Sequence, residues 1–140
     1  MYYSIGCLPK HFTELHTTLA MLKFEPDIIG LSETTITTKV NAYYNPHLKG
    51  YTFYKSFSNT SRGSVGVFIK KSLHITIRMD LDISMPGIFE TFWFDVKHKF
   101  RGKDSTIGIV YRHSCDTDKT FFVRSLQLSL TKLNVKKINT

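Results

Sequence analysis

The chain has 140 residues, 41% of them hydrophobic, which fits one packed domain and argues against wholesale disorder. Its formal charge of +8 suits an anionic partner, nucleic acid ahead of an acidic membrane, or solubility alone. No apolar run approaches the ~18 residues of a membrane span, and Cys7 and Cys115 form no metal-binding spacing, so reduced thiols are expected, with one Cys7–Cys115 disulfide as the alternative.

The N-terminal MYYSIGCLPKHF lacks the layout of a secretion signal, so an intracellular location, cytoplasmic or nuclear, is expected. YYSIG reads as a short strand closed by Pro9. In HFTELHTTLAMLKF, the positions of Phe12, Leu15, Leu19 and Leu22 predict an amphipathic helix ended by Pro26. DIIGLS is apolar on both faces, as a central strand is. Strand, helix, strand in ~30 residues makes a βαβ unit whose strands are neighbours.

TTITTKVNAYYNPHLKG reads as a long surface loop. Five strands follow in YTFYKSF, SRGSVGVFIKK, HITIRMDLD, FETFWFDV and STIGIVYRH, the first two joined as a hairpin by a turn over Asn59–Gly63. KHKFRGKD is a basic turn. Phe122, Leu126, Leu130 and Leu133 predict a second helix, capped by Asp116 or Thr117, and the final KKINT begins like another strand.

The stretch DIIGLSET carries chemistry: a buried strand delivers Glu33 at its carboxyl end between two hydroxyl residues, Ser32 and Thr34. Open α/β sheets place their ligands at that end. With LPKHFTELHTTLAMLKFEPDIIGLSET, YYNPHLKGYTFYKSFSNTSRGSVGVFIKKSL, FETFWFDV and IGIVYRH in this order, the chain resembles the endonuclease/exonuclease/phosphatase superfamily. Within it, the likeness is to the endonuclease-like domain of non-LTR (LINE-type) retrotransposons. The resemblance implies an α/β fold, a two-sheet α/β sandwich that cuts phosphodiesters with Mg²⁺. It implies Glu33 as the Mg²⁺ ligand and Tyr111 as a contact to the scissile phosphate. Ser4 stands where relatives place an asparagine, and Ser114 where they place a proline; Ser4, Arg112 and His113 are the candidate substrate contacts. Glu90 and Trp93 match a structural strand.

The family's GDFN-type and SDH-type motifs have no counterpart here. Residues 1–140 are therefore expected to be the N-terminal portion of a single domain of this type, a partial sandwich truncated before its later strands. The expected function is a truncated Mg²⁺-dependent DNA endonuclease-like domain that is inactive alone, since nothing recognisable supplies the base that orients water. Among six histidines, only His113 falls near the presumed site, and its expected state is a solvated loop residue. Lys70, Lys71, Lys97, Lys99, Arg101, Lys103, Lys136 and Lys137 either contact phosphates or form a solvated rim. The alternative function is a non-catalytic nucleic-acid-binding or protein-interaction module. Exposed sheet edges would favour self-association or a partner.

Overall fold

Among the described residues, seven short strands and two helices build two sheets that face each other, each covered on its outer side by one helix. The computed structural model describes residues 1–56, 63–85, 87–98, 102, 104–114 and 119–138, with side chains as far as 134.

The first sheet begins with the expected βαβ unit. Strand β1 (Tyr2–Ser4) lies parallel to β2 (Ile28–Ser32), Ser4 opposite Ser32, with helix α1 (Leu8–Met21) between them in sequence. Helix α1 starts earlier than the periodicity suggests, and Pro9 lies within its first turn, where a missing N–H costs nothing. It also ends before Pro26, because Leu22 already adopts extended backbone. Leu8 and Leu15 are fully buried against Ile29, Leu31, Ile36 and Phe68, with Phe12 and Leu19 alongside.

Strands β3 (Tyr51–Lys55) and β4 (Val65–Lys70) pair antiparallel, and β4 pairs antiparallel with β2, giving the order β1-β2-β4-β3. The turn expected before Gly63 lies mostly outside the described residues. The aromatic residues of β3 pack inward on both faces. Phe53 lies 4.7 Å from Phe68, and Tyr54 lies 6.2 Å from Phe92, between ring centroids. The long segment after β2 is irregular, as expected, but it buries Ile36, Pro46 and Leu48.

In the second sheet, β6 (Phe89–Val96) pairs antiparallel with β5 (Ile75–Ile77) and β7 (Ser105–Arg112). HITIRMDLD is thus mostly not strand: after Ile77 the chain turns through a single 3-10 turn at Met79–Leu81, which buries Leu81. Val65, Val67 and Ile69 of β4 meet Phe94, Val96 and Ile109 between the sheets. Gly30 of β2 permits the approach there, since a Cβ on it would stand 2.6 Å from Ile109 Cδ1.

Helix α2 (Lys119–Ile138) covers the opposite face of the second sheet, with Phe122 against Phe89 and the buried Ser129 donating to the Leu81 carbonyl at 3.0 Å. Leu130, expected on the buried face, is 46% exposed, so the inward stripe runs through Ser129 instead. KKI at positions 136–138 continues this helix and is not a strand: Leu and Lys are good helix formers, and no proline or glycine interrupts them. The expected cap at Asp116 or Thr117 and the Cys7–Cys115 pairing lie outside the described residues. No helix among the described residues is long and apolar enough to cross a membrane.

Candidate active site

The carboxyl end of β2 is held in an unusual backbone path. Glu33 and Thr35 both adopt left-handed φ, 57° and 54°, which for a side-chain-bearing residue costs roughly 1–2 kcal/mol each. Neighbouring bonds hold this path in place. Thr34 N–H donates to the Ser64 carbonyl at 3.3 Å, Thr35 N–H to the Gly63 carbonyl at 2.9 Å, and Ile36 N–H to Ser64 Oγ at 3.1 Å. The buried Thr34 and Ser64 hydroxyls also bond each other. Strain retained this firmly tends to mark functional positions.

The path presents the Glu33 carboxylate to two hydroxyls. Tyr111 Oη donates to Oε1 at 2.5 Å, and Ser4 Oγ donates to Oε2 at 3.2 Å. Tyr111 reaches across the gap between the sheets from β7. Its phenol is pushed well above its ordinary value, first by burial, then by the bond to Glu33 and the nearby charges of Glu33, Glu90 and Tyr2. In an alkaline titration followed by carbon NMR of ring-labelled tyrosine, Tyr111 should be the last of the tyrosines to ionise. Replacing Glu33 by alanine should bring it back toward 10.0. Ionisation of Tyr111 near 10.0 in the wild-type chain would refute this environment.

His113 is no solvated loop residue. Its ring Nε2 lies 2.8 and 2.9 Å from the two carboxylate oxygens of Glu90, which is 1% exposed and sits opposite Tyr111 in the β6–β7 register. The His113 ring also packs edge-on to Tyr111, centroids 5.1 Å apart. Glu33, Tyr111 and His113 line one cavity of about 480 Å³, together with Gly6, Thr35, Gly63, Gly87 and Ser114. Gly63 has φ 99°, and a Cβ there would stand 2.6 Å from His113 Cε1.

Of the residues singled out in the sequence, Glu33, Tyr111, Ser4 and His113 come together. Arg112 does not join them, because strand alternation turns it to the opposite face of β7 from Tyr111, and it is absent from the cavity lining. Lys70 sits at the far end of β4 from the cavity, bonded to Asp27 at 2.9 Å and to the Glu25 carbonyl at 3.2 Å, so its charge is used locally. His11 pairs with Glu14, and His98 bonds Ser105. Side chains of Lys99, Arg101, Lys103, Lys136 and Lys137 lie outside the described set. Glu90 does more than its sequence match to a structural strand implies; the available signal is a carboxylate in alternation with Phe92, Phe94 and Val96.

Magnesium takes oxygen ligands, often one or two carboxylates with several waters retained. The cavity offers the Glu33 carboxylate, onto which the Tyr111 and Ser4 hydroxyls donate, with Thr35 and Ser114 also in its lining; the buried Ser32 Oγ, without a hydrogen-bond partner among the described residues, lies next in sequence but is not part of that lining. This all-oxygen set fits a hard, mostly hydrated cation. No group of three or more His, Cys, Asp or Glu side chains able to hold a metal occurs among the described residues.

No protein-family profile matches the chain, and no curated protein matches it. Among solved structures, it is similar to the crystal structure of the Xenopus laevis APE2 catalytic domain, with a TM-score of 0.52 and 18% sequence identity. The match covers 84% of this chain and 45% of that one. At this identity the likeness carries the fold alone: an α/β, two-sheet sandwich shared with that catalytic domain.

Proposed function

We propose that the chain is the N-terminal part of a Mg²⁺-dependent DNA endonuclease-like domain of retrotransposon origin, which binds nucleic acid but does not cut it alone. The observation carrying this reading is Glu33 itself, held on a strained strand end with Tyr111 on one carboxylate oxygen and Ser4 on the other. The fold likeness to the APE2 catalytic domain supports it, and the sequence motifs quoted above supply the retrotransposon element.

Glu33 would hold the metal, and Ser4 and Tyr111 orient its carboxylate. Bound there, Mg²⁺ would polarise a phosphate oxygen. Tyr111 stays un-ionised at neutral pH and so keeps a hydroxyl hydrogen to donate. Activation of water and a second metal carboxylate would come from the GDFN-type and SDH-type motifs that this sequence lacks.

The test is a nicking assay on supercoiled plasmid with Mg²⁺, run on the wild-type chain and Glu33→Ala. Alongside it, DNA binding is measured against salt, and Mn²⁺ is used as a paramagnetic probe. The expected result is no nicking by either chain, DNA binding that weakens steeply with salt, and Mn²⁺ broadening at Ser4 and Tyr111 that Glu33→Ala removes. Nicking that disappears in Glu33→Ala would overturn the inactivity. Absence of site-specific broadening would favour the second reading, a non-catalytic nucleic-acid-binding module. The net charge of +8 favours that module. The outward Val123, Leu128 and Leu130 of α2 favour docking of a second copy or a partner.

A further inference from the structure

We propose that the free edge of β7 accepts one extended segment of another polypeptide as an added strand, apolar toward Tyr2 and acidic opposite Arg112. The surface is independent of the phosphodiester reading of the cavity, and neither nicking nor Mn²⁺ broadening bears on it.

The register of the second sheet decides which backbone groups are free. In an antiparallel pair, residues alternate between those whose N–H and C=O both point at the neighbour and those whose groups both point away. His113 N–H donates to the Ile88 carbonyl at 2.9 Å, one step beyond the Phe89–Arg112 pair. Counting back by twos, Tyr111, Ile109, Ile107 and Ser105 turn their groups to β6. Thr106, Gly108, Val110 and Arg112 turn theirs outward, where no described group bonds them. The other described edges are short or covered, as open edges usually are. Strands β1 and β5 have three residues each, and β3 holds Lys55 against the carbonyls of Ala42 and Tyr44. Strand β7 leaves eight residues open, none of them proline.

The layers give the added strand its place. The first sheet has four strands and the second three. Strand β7 stands over β2, where Ile109 meets Gly30, so β1 has no strand above it. Tyr2, opposite Gly30 in the β1–β2 register, faces that space and is 56% exposed. One strand beside β7 would cover it, at the ~10 Å spacing of packed sheets. A second copy of the chain does not fit. Antiparallel pairing of β7 with its equivalent needs a two-fold axis perpendicular to the sheet, and that axis carries the β2 of one copy onto the β1 of the other. The occupant is therefore a strand with no layer beneath it. No described carboxylate pairs with Arg112, and the chain carries +8, so an acidic residue opposite Arg112 completes the match.

The probe is the peptide Glu-Val-Thr-Val-Thr-Val-Glu, which spans Thr106–Arg112 and sets its valines on one face. It is titrated into the full chain, followed by amide hydrogen exchange and the Tyr2 ring signals. In the free chain, the amides of Thr106, Gly108, Val110 and Arg112 should exchange at least about tenfold faster than those of Ile107, Ile109 and Tyr111. Millimolar peptide should slow those four about tenfold and shift the Tyr2 ring. The same peptide N-methylated at its five inner residues should bind at least about tenfold more weakly. Arg112→Glu should weaken binding about tenfold, and a peptide with lysine in place of both glutamates should restore it. Protection of the four amides in the free chain would mean that the edge is already taken, by the chain itself or by a second copy, and would overturn the proposal. So would equal binding of the methylated peptide, binding that leaves Tyr2 unmoved, or no binding at millimolar peptide.

Discussion

Replacing Phe68 by alanine should lower the free energy of unfolding by about 3–5 kcal/mol, roughly 10–20 °C in Tm. Phe68 is fully buried on the face of β4 that receives α1. Its ring centroid lies 4.7 Å from that of Phe53 and 6.2 Å from that of Phe12, so it joins a strand neighbour to the helix. Truncation removes the transfer energy of a large ring and leaves a void that two sheet strands and a docked helix cannot close. Domains of this size hold ~5–15 kcal/mol in all, so the variant should be partly unfolded at modest urea. A loss below about 1 kcal/mol in urea denaturation would mean that α1 does not dock on this face.

The second large effect is expected at Gly63, where two costs coincide. Its φ of 99° lies where side-chain-bearing residues are strained, by about 1–3 kcal/mol. In addition, an alanine Cβ would stand 2.6 Å from His113 Cε1, 2.7 Å from Nε2 and 3.1 Å from Glu90 Oε1. A free side chain could swing aside, but this ring is held by both Glu90 oxygens. Gly50→Ala separates the two costs: Gly50 has φ 84°, and a Cβ there would meet nothing within 4 Å, so only backbone strain applies. Gly63→Ala should cost at least about 1 kcal/mol more than Gly50→Ala and should displace the His113 ring signals. Equal costs in thermal unfolding would mean that the ring yields freely.

The succession of most strands along the chain and the place of Glu33 were legible because their signals are local. Ile28 to Leu31 form an uninterrupted apolar run, and the carboxylate follows it closely. The buried helix face was legible through Leu15 and Leu19, but less so in α2. There the seat is set by Ser129, whose hydroxyl finds the Leu81 carbonyl, and hydrophobic spacing cannot anticipate a polar residue buried by a specific bond. HITIRMDLD alternates like a strand, yet Arg78 bonds Asp80 and Asp95, and the chain folds over at Met79. The largest miss was His113. Its partner Glu90 lies 23 residues away, and only the pairing register of β6 and β7 brings them together. A histidine after a strand reads as solvent-facing until its neighbour across the ladder is known.

The Tyr111–Glu33 bond joins residues 78 apart in sequence, and Ser4 reaches Glu33 across 29. During synthesis, the acidic side chain emerges long before its phenolic partner: at ~5–20 residues per second, the wait is roughly 4–16 s. Until β7 arrives, the nascent first sheet has no wall opposite Glu33 and no ring beside it. The cavity is therefore a late product of folding, closed by β7, the seventh strand among the described residues. The raised ionisation of Tyr111 becomes a clock for completion, silent in every shorter intermediate and switched on when the two sheets have met.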